Sequence, residues 1–145
     1  MSITKNDPKT ILLGGPYTEV NEYAASEAIS PGHACELFNN AGVVRVRKST
    51  KDGVKCALWI ARDASMLNKG VADDYALADL VECFVPAPGC KFLVHIASGQ
   101  TIVPGDYLEG SGNGLFEKLG AGVPLLMALE AETAVADTLL RVEAL

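Results

Sequence analysis

Four cysteines and two histidines are the residues of this 145-residue chain best suited to chemistry. A thiol beside an imidazole can act as nucleophile and base, and several such groups together can hold zinc. Yet Cys35, Cys56, Cys83 and Cys90 contain no C-x-x-C pair, and neither His33 nor His95 lies in an H-E-x-x-H pattern. The glycine run Gly110-Ser111-Gly112-Asn113-Gly114 has the look of a phosphate loop. The residues after it, Leu115-Phe116-Glu117-Lys118, read as a strand and not as the helix N-terminus that a phosphate needs. Asp73, Asp74, Asp79 and Glu82 cluster without the spacing of a calcium loop. We therefore expect no catalytic residues, no metal and no cofactor, with buried thiols acting as small apolar side chains. A Cys/His pair assembled only in the fold is the enzymatic alternative.

Charge is more informative. The net charge is −6, but residues 1–70 carry nine Lys/Arg against seven Asp/Glu, and residues 71–145 three against eleven. An acidic chain is poorly suited to direct nucleic-acid binding, which needs a basic surface. Five of the twelve basic residues, Arg45, Arg47, Lys48, Lys51 and Lys55, nevertheless fall within eleven positions. Such a basic hairpin is either a docking face for an acidic partner or an edge whose charges block aggregation.

The elements that would position these residues are strands. An apolar content of 49% suits one folded domain, and no apolar run reaches the roughly 18 residues of a membrane span. The start of the chain lacks a signal-peptide pattern, so synthesis in a cytoplasm with reduced thiols is expected. From residue 29 onward, short apolar stretches alternate with turn residues, which predicts an all-β barrel-like domain over residues 29–145. Residues 1–28 read as an N-terminal arm with one apolar patch, Ile11-Leu12-Leu13. Val44 and Val46 are expected inside and Arg45 and Arg47 outside, with a hairpin turn at Lys51-Asp52-Gly53. Cys83 and Cys90 would face each other across a hairpin turning at Pro86-Ala87, with Cys90, Phe92, Val94 and Ile96 on one face and His95 on the other. Residues 62–69 read as one helical turn or a loop. Residues 123–136 are rich in helix formers yet alternate like a strand; the β surroundings favour strand. Residues 139–145 read as a last strand.

One internal repeat is present. Ile29-Ser30-Pro31-Gly32-His33-Ala34-Cys35-Glu36 recurs as Ile102-Val103-Pro104-Gly105-Asp106-Tyr107-Leu108-Glu109. Proline presets φ and glycine permits the positive φ of a tight turn, so each copy forces a sharp turn into a strand.

These turns carry a resemblance. Ile29 to Gly32 supplies an I-x-P-G turn, Val85-Pro86-Ala87-Pro88-Gly89 a strand ending in P-x-P-G, and Ala97 to Asp106 an A-x-G-x-x-I-x-x-G-D unit. In these features the chain resembles the decoration, or cement, proteins of tailed-bacteriophage capsids. The resemblance implies a β-barrel or β-tulip domain without catalytic residues, homotrimeric or dimeric, on the outer surface of the virion. It would bind the major capsid protein and clamp neighbouring capsomers of the expanded shell. Thr10, Ile11, Leu12 and Leu13 would add a strand to a capsid-protein sheet, and Arg45, Arg47, Lys48, Lys51 and Lys55 would form the second contact. A head-fibre base or tail-tube-like domain is the alternative virion role.

Overall fold

Alternating apolar and polar residues, cut into short lengths by Gly and Pro, leave little but strands to form. The computed structural model describes residues 10–136 and 138–145, and among them it has thirteen strands and one 3₁₀ turn at Ser65–Leu67. The strands in chain order are β1 (Leu12–Gly14), β2 (Tyr17–Val20), β3 (Ala34–Asn40), β4 (Val43–Lys48), β5 (Trp59–Ala61), β6 (Cys83–Pro86) and β7 (Lys91–Ile96). They continue with β8 (Thr101–Ile102), β9 (Tyr107–Gly112), β10 (Leu115–Lys118), β11 (Leu126–Ala128), β12 (Glu132–Thr133) and β13 (Thr138–Ala144). One sheet runs β1-β7-β10-β9-β11-β13 and a second runs β2-β6-β5-β3-β4, with β8 and β12 paired separately.

The all-β class is as expected, but the barrel is replaced by a sandwich-like pair of sheets. The first sheet curls until β10 meets β7, and a single parallel pair, Phe116 with Ile96, joins them. Six pairs join β7 to β13 on the other side. One pair does not make a continuous barrel wall.

The second sheet is buried on both faces at its centre, where β5, β6 and the start of β3 lie. Ala34, Ile60 and Phe84 point into a large core shared with Phe92, Leu108, Phe116, Leu126 and Leu140. Their neighbours Cys35, Ala61 and Cys83 point the opposite way, into a smaller core closed by Ala25, Ile29, Tyr75 and Val81. The period of two along a strand produces this division.

Several local expectations change, mostly because segments adjacent in sequence are separated in the fold. Cys83 and Cys90 do not face each other, because β6 lies in the second sheet and β7 in the first. The turn between them is a crossing from sheet to sheet. Likewise, residues 50–53 form no hairpin turn; Gly53 and Gly112 amides bond across to the Gly110 and Lys51 carbonyls at 2.7 and 3.0 Å. Val44 is 48% exposed, whereas Val46 is buried. Residues 10–20, read from sequence within the arm, supply a strand to each sheet. In the tail, pairing of Leu126 with both Leu108 and Ala144 overrides helix propensity. Leu140, Val142 and Ala144 are buried opposite Arg141 and Glu143, as alternation requires.

The two repeat copies build equivalent units in different sheets. Gly32 and Gly105 take φ of +96° and +90°, and the strands that follow form the β3–β4 and β9–β10 hairpins. Each hairpin turns through two positive-φ residues, Ala41-Gly42 and Asn113-Gly114. Gly42 has open space where a side chain would go, whereas a Cβ on Gly114 would stand 3.0 Å from the Ala34 carbonyl and 3.2 Å from Lys48 Cβ. Gly42→Ala should therefore cost about 1 kcal/mol and Gly114→Ala roughly 2–3 kcal/mol. Denaturant midpoints of the two variants check this; equal losses would show that the second hairpin does not pack on the first as described.

Candidate functional site

Pairing of β3 with β4 brings the basic cluster together and also neutralises part of it. Glu36 lies opposite Arg47, whose Nε and Nη2 donate to Glu36 Oε2 at 3.3 and 3.0 Å. The same guanidinium stacks 4.4 Å over the Phe38 ring. Burial would raise the Glu36 carboxyl, but the Thr50 amide, Arg47 and the Thr50 hydroxyl outweigh it and hold the pKa below the ordinary value. Lys48 pairs with Glu27 at 3.4 Å. Arg47 and Lys48 are thus engaged within the chain. Arg45, Lys51 and Lys55 have no carboxylate partner among the described residues. Lys51 and Lys55 flank a groove of about 320 Å³ whose apolar wall includes Leu37, Cys56 and Trp59.

The residues expected to form a capsid-binding strand lie in and just before β1. Thr10 is half-buried, and its hydroxyl donates to the Leu12 carbonyl at 3.2 Å. Ile11 is wholly buried; its amide donates to Asp63 Oδ1 at 3.0 Å and its carbonyl accepts from the Leu93 amide at 2.9 Å. Leu12 pairs with Phe92, and Leu13 is 40% exposed. The inner side of this segment is therefore committed to β7. Since β1 is the outermost strand of its sheet, any added strand would have to join its other side.

The fold places the two histidines together and raises the pKa of the Cys35, Cys56 and Cys90 thiols. The His33 and His95 rings are 4.5 Å apart between centroids. His33 Nδ1 accepts from the Ser30 amide at 3.0 Å, and His95 Nε2 lies 2.8 Å from the Pro31 carbonyl oxygen, which can only accept. Cys35 donates to the backbone carbonyl of His33 at 3.6 Å. A hydrogen bond with Cys83 and then burial push the Cys35 thiol well above its ordinary pKa; burial raises Cys90 and, against the pull of Lys51 and with help from Glu36, Cys56. An activated nucleophile needs the opposite shift. The acidic loop residues Asp73 and Asp79 accept from the Gly70 and Ala76 amides at 2.6 and 2.8 Å, closing their own turns.

Sequence reasoning missed two features of this surface. The groove at Trp59 needed the crossing of residues 50–53, which no local pattern encodes. A pair of carboxyls also meets directly across β9 and β10, the buried Glu109 opposite Glu117. Burial, then Glu109 and Asp52, raise the Glu117 pKa. Alternation on the two arms of the Asn113-Gly114 turn was the available signal for that pair.

No family model matches the chain, and no curated protein matches its sequence. A solved structure does share the fold. The head fibre gp8.5 N base of bacteriophage phi29 superimposes with a TM-score of 0.60, over 90% of this chain and 95% of that one. Sequence identity is 11%, so the likeness lies in the fold.

Three outcomes are expected in solution. Native thiols should react slowly with an aromatic disulfide near neutral pH and quickly once denatured; one fast native thiol would restore the enzymatic alternative. Because the Cys35, Cys56 and Cys90 pKa values are raised, the folded chain keeps protons that the unfolded chain loses, so stability should fall as pH rises past about 8.5. For Glu117, also raised, the favourable contribution is present below about pH 4.3 and lost as pH rises through the folded value. Glu117→Gln should therefore melt higher than the parent at pH 7 and match it in acid. Equal melting at both pH values would show that the carboxyl pair is not strained.

Proposed function

We propose that this chain is a structural protein of a tailed-phage virion that docks on the outside of the head. The observation that carries this reading is the shared fold with a head-fibre base, which extends over almost the full length of both chains. The turn-and-strand motifs support the same location through their resemblance to decoration proteins. Thiols held in the protonated form support a non-enzymatic role.

Two forms of this role are argued from different observations. The shared fold favours a base from which further structure projects. The sequence motifs favour a cement domain that clamps neighbouring capsomers. In either form, the proposed contact with the major capsid protein is the groove beside Trp59, where Lys51 and Lys55 meet an acidic segment of the shell. Affinity per copy can be modest, because many copies on a closed lattice reinforce one another.

Co-sedimentation of the purified protein with expanded heads that lack it tests the proposal. Saturable binding at a fixed ratio to the major capsid protein is expected. Lys51→Glu with Lys55→Glu should weaken binding about tenfold at low salt and flatten its salt dependence. Absence of binding to expanded heads at low salt would overturn the head-docking reading. Heating decorated heads separates the two forms: a cement raises the temperature of genome release, whereas a base leaves it unchanged.

A further inference from the structure

Outside the core and the Trp59 groove, two exposed apolar features lie beside a charge with no partner among the described residues. One is the tip of the β3–β4 hairpin, where residues 39–44 are all exposed. Val43 and Val44 there are 52% and 48% exposed, and alternation puts them on opposite faces of β4. No flat surface covers both. Arg45 stands at the base of this tip without a carboxylate partner among the described residues.

The other feature lies in the segment that covers the outer core. There a cavity of about 320 Å³ opens between Leu67 and Leu80, and both leucines are largely exposed. Its rim carries Asp73, Asp74 and Asp79 against Lys69. Asp73 and Asp79 each accept a loop amide, whereas Asp74 has no hydrogen bond or ion pair among the described residues. The tip is thus an apolar finger with a positive base, and the cavity is an apolar recess with a negative rim. Both stand open within one chain, so neither covers the other in a single copy.

We propose that the hairpin tip of one copy seats in this cavity of a second copy. Val43 and Val44 enter between Leu67 and Leu80, and Arg45 meets Asp74. A recess can enclose both faces of an inserted finger, which removes from water the two valines that a flat partner would leave half-wet. The charge pair fixes the register and strengthens encounter at low salt, while apolar contact persists at high salt. Because each chain carries both halves, the contact closes into a two-fold pair or a small ring.

Sedimentation equilibrium of the full chain, at several protein and salt concentrations, tests this. The parent should self-associate. Arg45→Glu and Asp74→Lys should each weaken association about tenfold at low salt, and the two together should restore it. Val44→Ser should weaken association at every salt concentration. All three positions lie at the surface, and unchanged melting curves would confirm that the variants fold. A parent that stays monomeric throughout, association untouched by Val44→Ser, or a double variant weaker than either single one would each overturn the proposal. No heads are present in this experiment, so its failure leaves the head-docking reading standing, and the reverse holds equally.

Discussion

The centre of the second sheet is buried on both of its faces, and the rest of the structure follows from that constraint. A sheet with one wet face can alternate apolar and charged residues; this one must be apolar or small at successive positions. Ala34-Cys35, Ile60-Ala61 and Cys83-Phe84 meet that demand, each pair sending one side chain into each core. In two of the three pairs the larger residue, Ile60 or Phe84, faces the core between the sheets, whereas at Ala34-Cys35 the smaller one does. Cysteine suits the second position because it is compact and apolar when protonated. At Cys35 the burial that makes it useful there also raises the thiol pKa and lowers its nucleophilicity.

Covering the outer face requires chain that forms no long strands of its own. The stretch before β3 and the stretch between β5 and β6 do this through isolated bridges, Ala25 with Val46, Ala24 with Leu80 and Ile29 with Tyr75. Tyr75 is fixed from within: its hydroxyl donates to the Arg62 carbonyl. A covering layer of irregular backbone must end its turns with side chains, and Asp73 and Asp79 are used in that way. The acidic character of this side of the molecule is therefore partly a by-product of turn formation. The basic side has a similar history, since Arg47 and Lys48 first satisfy Glu36 and Glu27. Only the cations left over can act on a partner.

The repeated Pro-Gly unit explains how two sheets of different roles arise from one kind of turn. Each copy leads into a hairpin closed by a two-residue turn at positive φ, which matches the natural twist of paired strands. The copies meet where the Ala34 amide donates to the Gly114 carbonyl at 2.9 Å. That bond joins the start of the first unit to the turn of the second, so the two sheets are held at a fixed relation by the repeat itself.

The sequence by itself determined the strands and most of their faces. Alternation placed Cys90, Phe92, Val94 and Ile96 together, and all four are buried. It likewise settled the last strand and the Pro-Gly turns. These are short-range matters, decided by period, turn chemistry and the need to bury apolar side chains. Strand over helix in the tail was instead decided by the pairing of β11 with β9 and β13. Pairing of strands was decided only by the tertiary structure. The crossing at Pro86–Gly89 separates Cys83 from Cys90, the segment at residues 50–53 runs onto β9 instead of turning back, and Ile11 and Leu12 join β7. A strand's hydrogen-bonding edges carry no side chains, so nothing in local sequence names the partner that will occupy them. The candidate surfaces shared that fate. Which lysines remain unpaired, and which valines stay exposed, depends on contacts between segments far apart in the chain.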